Sequence, residues 1–338
     1  MSRSPAETSK ESSPISACPE GDSRRTSGAS RIPLVRVGDA YDLIPTLGKR
    51  TVDCVITSPP YWGLRTYGLD HNEGIWEQWK ASGAQVPLNY DEYRKNGGAL
   101  GQEPDPDWYV EHIAEILDLF STPLKLSGSL WLNLGDTYFA RWSSVRDGRQ
   151  GLGGGPRSRR RTPTSGYRHD KQLLLIPARV AIALQARGWI LRNDLIWSKP
   201  DVPPRPERDR LRMSHEHWFH FVQRTPSRRP NYYYDLSAAE KGARDVVEHR
   251  CNPGRGGHSA TFPVGFIRPR IESSCPPGGF VVDPFCGSGT SLIAAVESGR
   301  LAQGFELSVN YARAARRNVR RAHLALDQLN PGGPDPSA

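Results

Sequence analysis

The feature that most constrains the fold is a segment near the end of the chain, residues 278–306. It begins with a strand pattern that ends at Asp283 and continues into a turn that contains Gly287 and Gly289. An apolar helix pattern follows the turn, and a second strand pattern ends in Glu306. Strand, glycine turn, helix, strand and terminal acid describe a nucleotide-type βαβ unit, in which glycines admit close backbone approach and the acid faces a ribose diol. The segment therefore predicts an α/β fold.

The spacing of the glycines narrows the choice of ligand for this unit. It differs from the G-x-G-x-x-G pattern of dinucleotide-binding folds, and the turn lacks the Lys of a phosphate-binding loop. Both departures argue against a dinucleotide and against a nucleoside triphosphate. The remaining expectation is a ligand that carries a ribose but no pyrophosphate.

A second segment, Val52–Thr57, predicts a buried strand that ends in a stiff corner. Ser58, Pro59, Pro60 and Tyr61 follow it directly. Because proline removes an amide donor and fixes φ, the carbonyl groups at the start of this corner remain available as acceptors. Such a corner can hold a flat, amine-bearing ring by stacking while it accepts the ring's N–H groups. Taken alone, it is equally compatible with a rigid turn above packed aromatic side chains.

Together, the two segments resemble the amino-methylating DNA methyltransferases, which use S-adenosylmethionine. In that family Asp-Pro-Phe-x-Gly-Ser-Gly-Thr lines the methionine end of the cofactor, and Ser, Asn or Asp before Pro-Pro-Tyr forms the catalytic corner. The order of the motifs here, with the corner first, is similar to the circularly permuted β group. The resemblance implies a Rossmann-like, permuted S-adenosylmethionine-dependent methyltransferase fold, with a mostly parallel twisted sheet, helices on both faces and loop insertions.

The resemblance also implies roles for the residues that match its motifs. The catalytic residues it implies are Ser58, Pro59, Pro60 and Tyr61. The cofactor-binding residues it implies are Asp39, Thr57, Thr261, Phe262, Asp283, Pro284, Phe285, Gly287, Ser288, Gly289, Thr290 and Glu306. The substrate-binding residues expected beside them are Trp62, Trp197, Lys199, Arg157, Arg159, Arg160 and Arg161.

Two of these residues have structural alternatives that the sequence leaves open. Asp39 follows a predicted strand at 32–37 and precedes a predicted helix at 40–47, so it can cap that helix as well as face the adenine amine. Trp197 is the last residue of a strand pattern at 189–197 and can pack in the core as well as against a flipped base.

The composition predicts one large domain with a tail at each end. Residues 1–31 have almost nothing to bury and are expected to be disordered, the methyltransferase domain is expected at 32–328, and a second tail at 329–338. The domain carries three irregular or charged insertions, which are expected to be a lid at 69–107, a basic mobile loop at 141–171 and a target-recognition region at 223–257.

The charge distribution favours a polyanionic partner. The net charge is +9, and residues 141–171 hold nine basic side chains against two acidic ones. We expect this basic loop to bind the phosphates of double-stranded DNA, which provides attraction but no choice of sequence. A solvated linker is the alternative interpretation of the same charges.

Other classes of protein are disfavoured by the sequence. The five cysteines show no C-x-x-C pairing, and His215-Glu216-His217 has no third ligand at metal-binding spacing, so neither disulfides nor a metal site are expected. No apolar run reaches the roughly 18 residues that a membrane span needs. We expect a cytoplasmic protein, prokaryotic or phage-encoded.

The function that the resemblance implies is methyl transfer from S-adenosylmethionine to an exocyclic amine of a base flipped out of duplex DNA. Ser58 before Pro-Pro-Tyr favours the N4 amine of cytosine, and adenine N6 is the alternative. A second alternative is an inactive DNA-binding protein with this fold. Methylation of a ring carbon is disfavoured because none of the cysteines follows a proline. The expected partners are DNA and a restriction endonuclease for the same site, with the enzyme a monomer or dimer.

The basic loop gives a first testable prediction. If its arginines neutralise DNA phosphates, affinity for a duplex will fall linearly on a log–log plot against salt, with a slope near −0.9 for each phosphate contacted. The slope is measured by fluorescence anisotropy of a labelled duplex at about 50 to 300 mM salt. A flat dependence would contradict phosphate binding.

Overall fold

An eight-stranded, mostly parallel sheet organises the chain. The computed structural model describes residues 34–63, 88–139, 142–145, 158–161, 166–202, 208–227, 229–239, 244–251 and 262–329. Within these ranges the strands are β1 (Leu34–Val37), β2 (Val52–Thr57), β3 (Leu124–Leu134), β4 (Trp142–Val145), β5 (Ser158–Arg161), β6 (Ile190–Ser198), β7 (His215–Val222), β8 (Val246–Glu248), β9 (Phe280–Asp283) and β10 (Leu301–Glu306). The α-helices are α1 (Ala40–Leu43), α2 (Tyr90–Lys95), α3 (Pro106–Asp118), α4 (Ile176–Ala186), α5 (Val264–Ser274), α6 (Thr290–Glu297) and α7 (Val309–Leu329).

The strand order of the sheet places a crevice near its middle. The order is β1-β10-β9-β2-β3-β7-β6-β8. The first five strands are parallel, β7 is antiparallel to both of its neighbours, and β8 is parallel to β6. From β9 the chain continues to β10 on one side, whereas from β2 it continues to β3 on the other. Open α/β sheets bind ligands outside the carboxyl ends of the strands at such a reversal.

Apolar side chains cover both faces of the sheet. All six residues of β2 are buried, as expected for a central parallel strand with helices on both sides. Because side chains alternate along a strand, Val55 packs in one core cluster with residues of α3 and α4, whereas Cys54 and Ile56 pack in the other with residues of α5, α6 and α7. The α/β class predicted from the sequence is confirmed.

The bounds of several elements agree with the sequence patterns, and others differ for local reasons. β2 and β10 have the predicted limits. The helix predicted at 40–47 ends at Leu43 and continues as a 3₁₀ turn, Ile44–Thr46, which contains a proline. Helix α4 begins at Ile176 because the preceding residue, Leu175, has a left-handed backbone with φ of 56°.

Part of the predicted lid is ordered and packed. Of the lid segment, residues 88–107 lie within the described ranges and contain α2. Tyr90 and Tyr93 are 3% and 2% exposed and belong to the core cluster that contains α3. These two tyrosines therefore pack in the core of the domain. The predicted tail at 1–31 and most of the basic loop lie outside the described residues, and no described helix is long and apolar enough to cross a membrane.

Candidate functional site

The two sequence motifs meet where β2 and β9 end side by side. These strands pair in parallel through Cys54 with Val281 and Val55 with Val282. One step beyond the pairing, the Thr57 hydroxyl donates a hydrogen bond of 2.6 Å to Oδ1 of Asp283, across 226 residues of chain. The proline corner and the glycine turn are therefore neighbours at one edge of the sheet.

Asp283 organises this junction from inside the protein. Its carboxylate is 1% exposed and also accepts hydrogen bonds from the backbone N–H of Phe285, at 2.9 Å, and from the hydroxyl of Ser291. Burial raises the pKa of Asp283 from 3.8 to about 6, although its three donors act in the opposite direction. Asp283 therefore shapes the turn rather than presenting its carboxylate to a ligand, and Thr57, with 0% exposure, has the same structural role.

The glycine turn adopts a conformation that suits few other residues. Gly287 and Gly289 have φ of 52° and 88°, in the left-handed region. A Cβ on Gly289 would lie 3.2 Å from the Cβ of Ala315 on α7, so the turn also packs tightly against that helix. Asn318 of α7 donates a 3.0 Å hydrogen bond to the carbonyl of Ser288. Thr290 then begins α6, Pro284 is buried, and Phe285 packs partly against the core.

Two further carboxylates lie at the ends of the neighbouring strands. Glu306, at the end of β10, accepts hydrogen bonds from the backbone N–H groups of Gly287 at 3.0 Å and Ser308 at 2.8 Å, and burial raises its pKa. Asp39 follows β1 and caps α1 by accepting from the N–H of Tyr41 at 2.9 Å, so the capping alternative is observed. The hydroxyl of Tyr90 donates to the other oxygen of Asp39 at 3.0 Å, and burial raises the pKa of Asp39.

The proline corner is held by residues outside its motif. The Tyr109 hydroxyl donates a 2.8 Å hydrogen bond to the carbonyl of Pro60, and the N–H of Gly63 donates to the carbonyl of Gly101 at 2.8 Å. Within the described residues no group donates to the carbonyl of Pro59. The corner therefore offers the Pro59 carbonyl and the half-buried Ser58 hydroxyl as acceptors, while the Pro60 carbonyl is occupied.

Tyr61 is the centre of a polar cluster that the sequence did not reveal. Its hydroxyl lies 2.9 Å from Oδ1 of Asn133, 3.1 Å from Oε2 of Glu216 and 3.4 Å from the Ser58 hydroxyl. The ring fits only because residue 135 is glycine, since a Cβ there would lie 2.8 Å from Cε2 of Tyr61. Burial, followed by the charge of Glu216, raises the pKa of Tyr61 well above its ordinary value. The phenol is therefore neutral at physiological pH.

The Trp-Ser-Lys-Pro segment contributes a charge beside this cluster. Lys199 pairs with Oε1 of Glu216, and its Nζ lies 4.1 Å above the ring of Trp197. Trp197 itself is 2% exposed, stacks on Phe266 at 5.0 Å and donates to the carbonyl of His249 at 2.8 Å. The core alternative for Trp197 is therefore the one observed, whereas Lys199 reaches the cluster around Tyr61 through Glu216.

Trp62 requires a correction. Its side chain is 7% exposed, and its indole N–H donates a 3.0 Å hydrogen bond to the carbonyl of Glu103. A ring in this position has no free face for a base, so we reassign Trp62 from substrate binding to core packing. Its burial follows from the loop at 97–105, which folds back over the corner, a contact that sequence patterns do not report.

The remaining predicted site residues are only partly described. Phe262 packs edge-on against Trp218, with ring centroids 5.3 Å apart. Arg159, Arg160 and Arg161 lie on β5, which pairs with β4 as a separate hairpin, and only their backbone is described. Arg157 and Thr261 lie outside the described residues. Across the described ranges, no three His, Cys, Asp or Glu side chains are grouped as a metal site would need.

Sequence reasoning missed the residues that surround Tyr61. Asn133 lies near the end of β3, and Glu216 lies on β7, which is antiparallel to β3. In the sequence, Glu216 stands out only as the middle residue of a His-Glu-His run. The available signal was a polar side chain inside each of two strands that are otherwise mostly apolar.

Comparison with known proteins agrees with this geometry. The model of the N6/N4 methylase family, described as DNA methylase, matches residues 52–317. The chain is 34% identical to the Type II methyltransferase M.SmaI of Serratia marcescens over 84% of this chain and 90% of the relative. It is 32% identical to M.Cfr9I of Citrobacter freundii over 81% and 83% of the two chains.

Two solved structures share the fold. One is the PvuII DNA methyltransferase (cytosine-N4-specific), with a TM-score of 0.58, 16% identity and coverage of 86% of this chain and 91% of that one. The other is a putative DNA modification methylase from Thermus thermophilus, complexed with S-adenosyl-L-methionine, with a TM-score of 0.54, 21% identity and coverage of 86% and 94%. At these identities the two likenesses establish the Rossmann-like fold.

The buried Asp283 predicts a pH dependence of stability. Below about pH 4 the folded and unfolded states both carry its proton, and between about pH 4 and 6 only the folded state does. Unfolding then releases a proton, so stability falls as pH rises through this window, by on the order of 3 kcal/mol. Denaturant unfolding of the wild type and of Asp283→Asn across this range measures the difference.

The matched control for this prediction is Asp42→Asn. Asp42 is exposed, and its hydrogen bond with Arg94 lowers its pKa, so its own window lies below about pH 4. The control should keep the wild-type decline between about pH 4 and 6. An Asp283→Asn variant with the same decline as the wild type would show that Asp283 is not its source.

Proposed function

Because the chain belongs to the N4/N6 amino-methylating DNA methylases, whose methyl donor is S-adenosylmethionine, we propose that it methylates the N4 amine of cytosine in duplex DNA. The observation that carries the proposal is the junction of β2 and β9. There the hydrogen bond from Thr57 to Asp283 joins the corner that accepts an amine to the turn that holds a ribosyl ligand.

The residues around the glycine turn fit S-adenosylmethionine. Gly287 leaves the backbone of the turn open to close approach, because a Cβ there would meet nothing within 4 Å. Glu306 supplies carboxylate oxygens for ribose hydroxyls. Asp39 follows β1, the strand next to β10, and supplies an oxygen that can accept a hydrogen bond from the adenine amine. These residues would hold the cofactor beside the proline corner, and its sulfonium would supply an electrophilic methyl group.

The corner prepares the amine for attack. The lone pair of an exocyclic amine is delocalised into the base ring, which makes the nitrogen a poor nucleophile. When the Ser58 hydroxyl and the Pro59 carbonyl accept its two N–H groups, the nitrogen can become tetrahedral and direct its lone pair at the methyl group. Fixed dipoles and positioning then provide the acceleration, and no covalent intermediate with the protein is required.

Tyr109 makes this arrangement selective among the carbonyl groups of the corner. Its hydroxyl occupies the carbonyl of Pro60, so the amine meets the carbonyl of Pro59 instead. The base must be flipped out of the duplex to reach this point, and the ring of Tyr61 is the surface on which it stacks. Lys199, paired with Glu216, lies at the margin of the same pocket.

The choice of cytosine rests on the residue before the two prolines. Ser58 stands where relatives that methylate adenine more often carry Asp or Asn, and a structural neighbour with this fold is named as cytosine-N4-specific. The chain's relatives are named as Type II methyltransferases. We therefore also propose a cognate restriction endonuclease that cuts the same site, which methylation protects.

Mass spectrometry of nucleosides tests the proposed product. DNA incubated with the pure protein and S-adenosylmethionine should contain N4-methylcytosine. The Ser58→Ala and Tyr61→Ala variants should bind cofactor but yield no detectable product, because each removes a group that holds the amine or the base. Detection of N6-methyladenine alone would favour the adenine alternative. A protein that binds the cofactor but forms no methylated base would favour the alternative of an inactive DNA-binding protein.

Glu306, the carboxylate at the end of β10, gives a separate prediction. Glu306→Ala should weaken binding of S-adenosylhomocysteine by roughly 10-fold or more, since a hydrogen bond to a charged group contributes about 1.5–3 kcal/mol. Isothermal titration calorimetry measures the affinity. Glu111→Ala, which removes an exposed carboxylate from α3, is the matched control and should bind as the wild type does. Equal affinity of the two variants would remove Glu306 from the cofactor site.

A further inference from the structure

Two hydroxyl groups and a carboxylate, which can pass protons between them, form a continuous path that leads away from the proline corner. It starts at the Ser58 hydroxyl, passes at 3.4 Å to the hydroxyl of Tyr61 and ends 3.1 Å further at Oε2 of Glu216. The first of these contacts is long for an O–H···O hydrogen bond. Such contacts shorten when a substrate completes the site.

The proposed reaction needs a path along which a proton can leave the methylated nitrogen. When an amine of the form R–NH₂ attacks the methyl group of a sulfonium, a C–N bond would form as the C–S bond breaks, and the C–S electron pair would stay on the sulfur, which becomes a neutral thioether. The nitrogen would then have two protons, one methyl group and the positive charge. The neutral product R–NH–CH₃ forms only when one of these protons departs. The nitrogen faces Ser58 and the Pro59 carbonyl, and a carbonyl oxygen of this kind does not keep a proton at physiological pH.

We propose that Glu216 is the proton acceptor of the reaction and that the hydroxyl of Tyr61 carries the proton to it. Ser58 accepts a proton from the methylated nitrogen and passes its own to the oxygen of Tyr61, which passes its own to Oε2 of Glu216. The two hydroxyl groups are regenerated, the carboxylate becomes a neutral acid, and solvent later takes its proton. The proposal rests on the proposed amine methylation.

The two acceptors around Tyr61 differ in a way that identifies Glu216. A phenol has one proton and can donate to only one acceptor at a time. Oδ1 of Asn133, at 2.9 Å, can accept a hydrogen bond but cannot take up a proton at physiological pH, whereas a carboxylate can. Lys199 engages the other oxygen, Oε1, and so holds Glu216 with Oε2 toward the phenol. Asn133 therefore orients the hydroxyl, and Glu216 completes the path.

The surroundings of the phenol agree with a role beyond stacking. Stacking of a base requires only an aromatic face, which a phenylalanine also provides. In this chain the Tyr61 hydroxyl is buried among a serine, an amide and a carboxylate, and Gly135 leaves the space that its ring needs. A buried hydroxyl costs free energy unless it is hydrogen-bonded, so the cluster stabilises a group that stacking does not need.

Tyr61→Phe and Glu216→Gln test the path, because each keeps the shape of the side chain. Single-turnover methyl transfer should slow by about 100-fold in both, the lower range for general acid–base catalysis. Affinity for S-adenosylhomocysteine, and the fluorescence of 2-aminopurine at the target position, which reports base flipping, should remain as in the wild type. Glu111→Gln is the matched control, because it removes the charge of an exposed carboxylate that pairs with Arg187 outside the site.

A double variant separates proton transfer from positioning. Asn133→Asp combined with Glu216→Gln moves the carboxylate from one side of the Tyr61 hydroxyl to the other. If the carboxylate acts as proton acceptor, the double variant should transfer methyl groups at least 10-fold faster than Glu216→Gln alone. If Glu216 only positions Tyr61, the double variant should be no faster than the single one.

The outcomes are distinct from a failure of the proposed function. Wild-type protein that forms no methylated base would remove the reaction, and this proposal with it. Wild-type protein that methylates DNA, together with a Tyr61→Phe variant of unchanged single-turnover rate, would overturn the proton path alone. Loss of cofactor affinity or of the flipping signal in Glu216→Gln and Tyr61→Phe would also overturn it, because the defect would then lie in assembly of the site.

Discussion

The hydrogen bond between Thr57 and Asp283 is the contact on which the site depends. It joins the ends of two central strands across 226 residues of chain and brings the proline corner beside the glycine turn. The carboxylate at its centre is buried at a cost in free energy, which its three donors offset only in part. One buried side chain, Asp283, thereby contributes to the geometry of both motifs.

Around this junction the protein restricts the freedom of each functional group. Tyr109 occupies one carbonyl of the corner, Asn133 and Glu216 hold the hydroxyl of Tyr61, and α7 supports the glycine turn. Positioned dipoles of this kind act without reorganisation during a reaction. The proline corner and the glycine turn are therefore short in sequence, but their geometry depends on residues from β3, β7, α3 and α7.

The sequence predicted those features that arise from local pattern. The limits of β2 and β10, the turn with Gly287 and Gly289 and the corner at Ser58 each follow from residues adjacent in the chain. The exposure of an aromatic ring depends instead on what packs over it. Trp62 is buried by a segment distant in sequence, and the contact with a base that was expected for it was wrong.

The sequence by itself determined the α/β class, the family and the residues of its two motifs, because alternation, glycine and proline act over a few residues. Only the tertiary structure decided that Glu216 and Asn133 meet at Tyr61 and that Asp283 turns inward. Those positions follow from strand order, which sets β7 antiparallel to β3 and β9 parallel to β2. Strand order depends on how the helices cover the two faces of the sheet, which is a property of the whole chain.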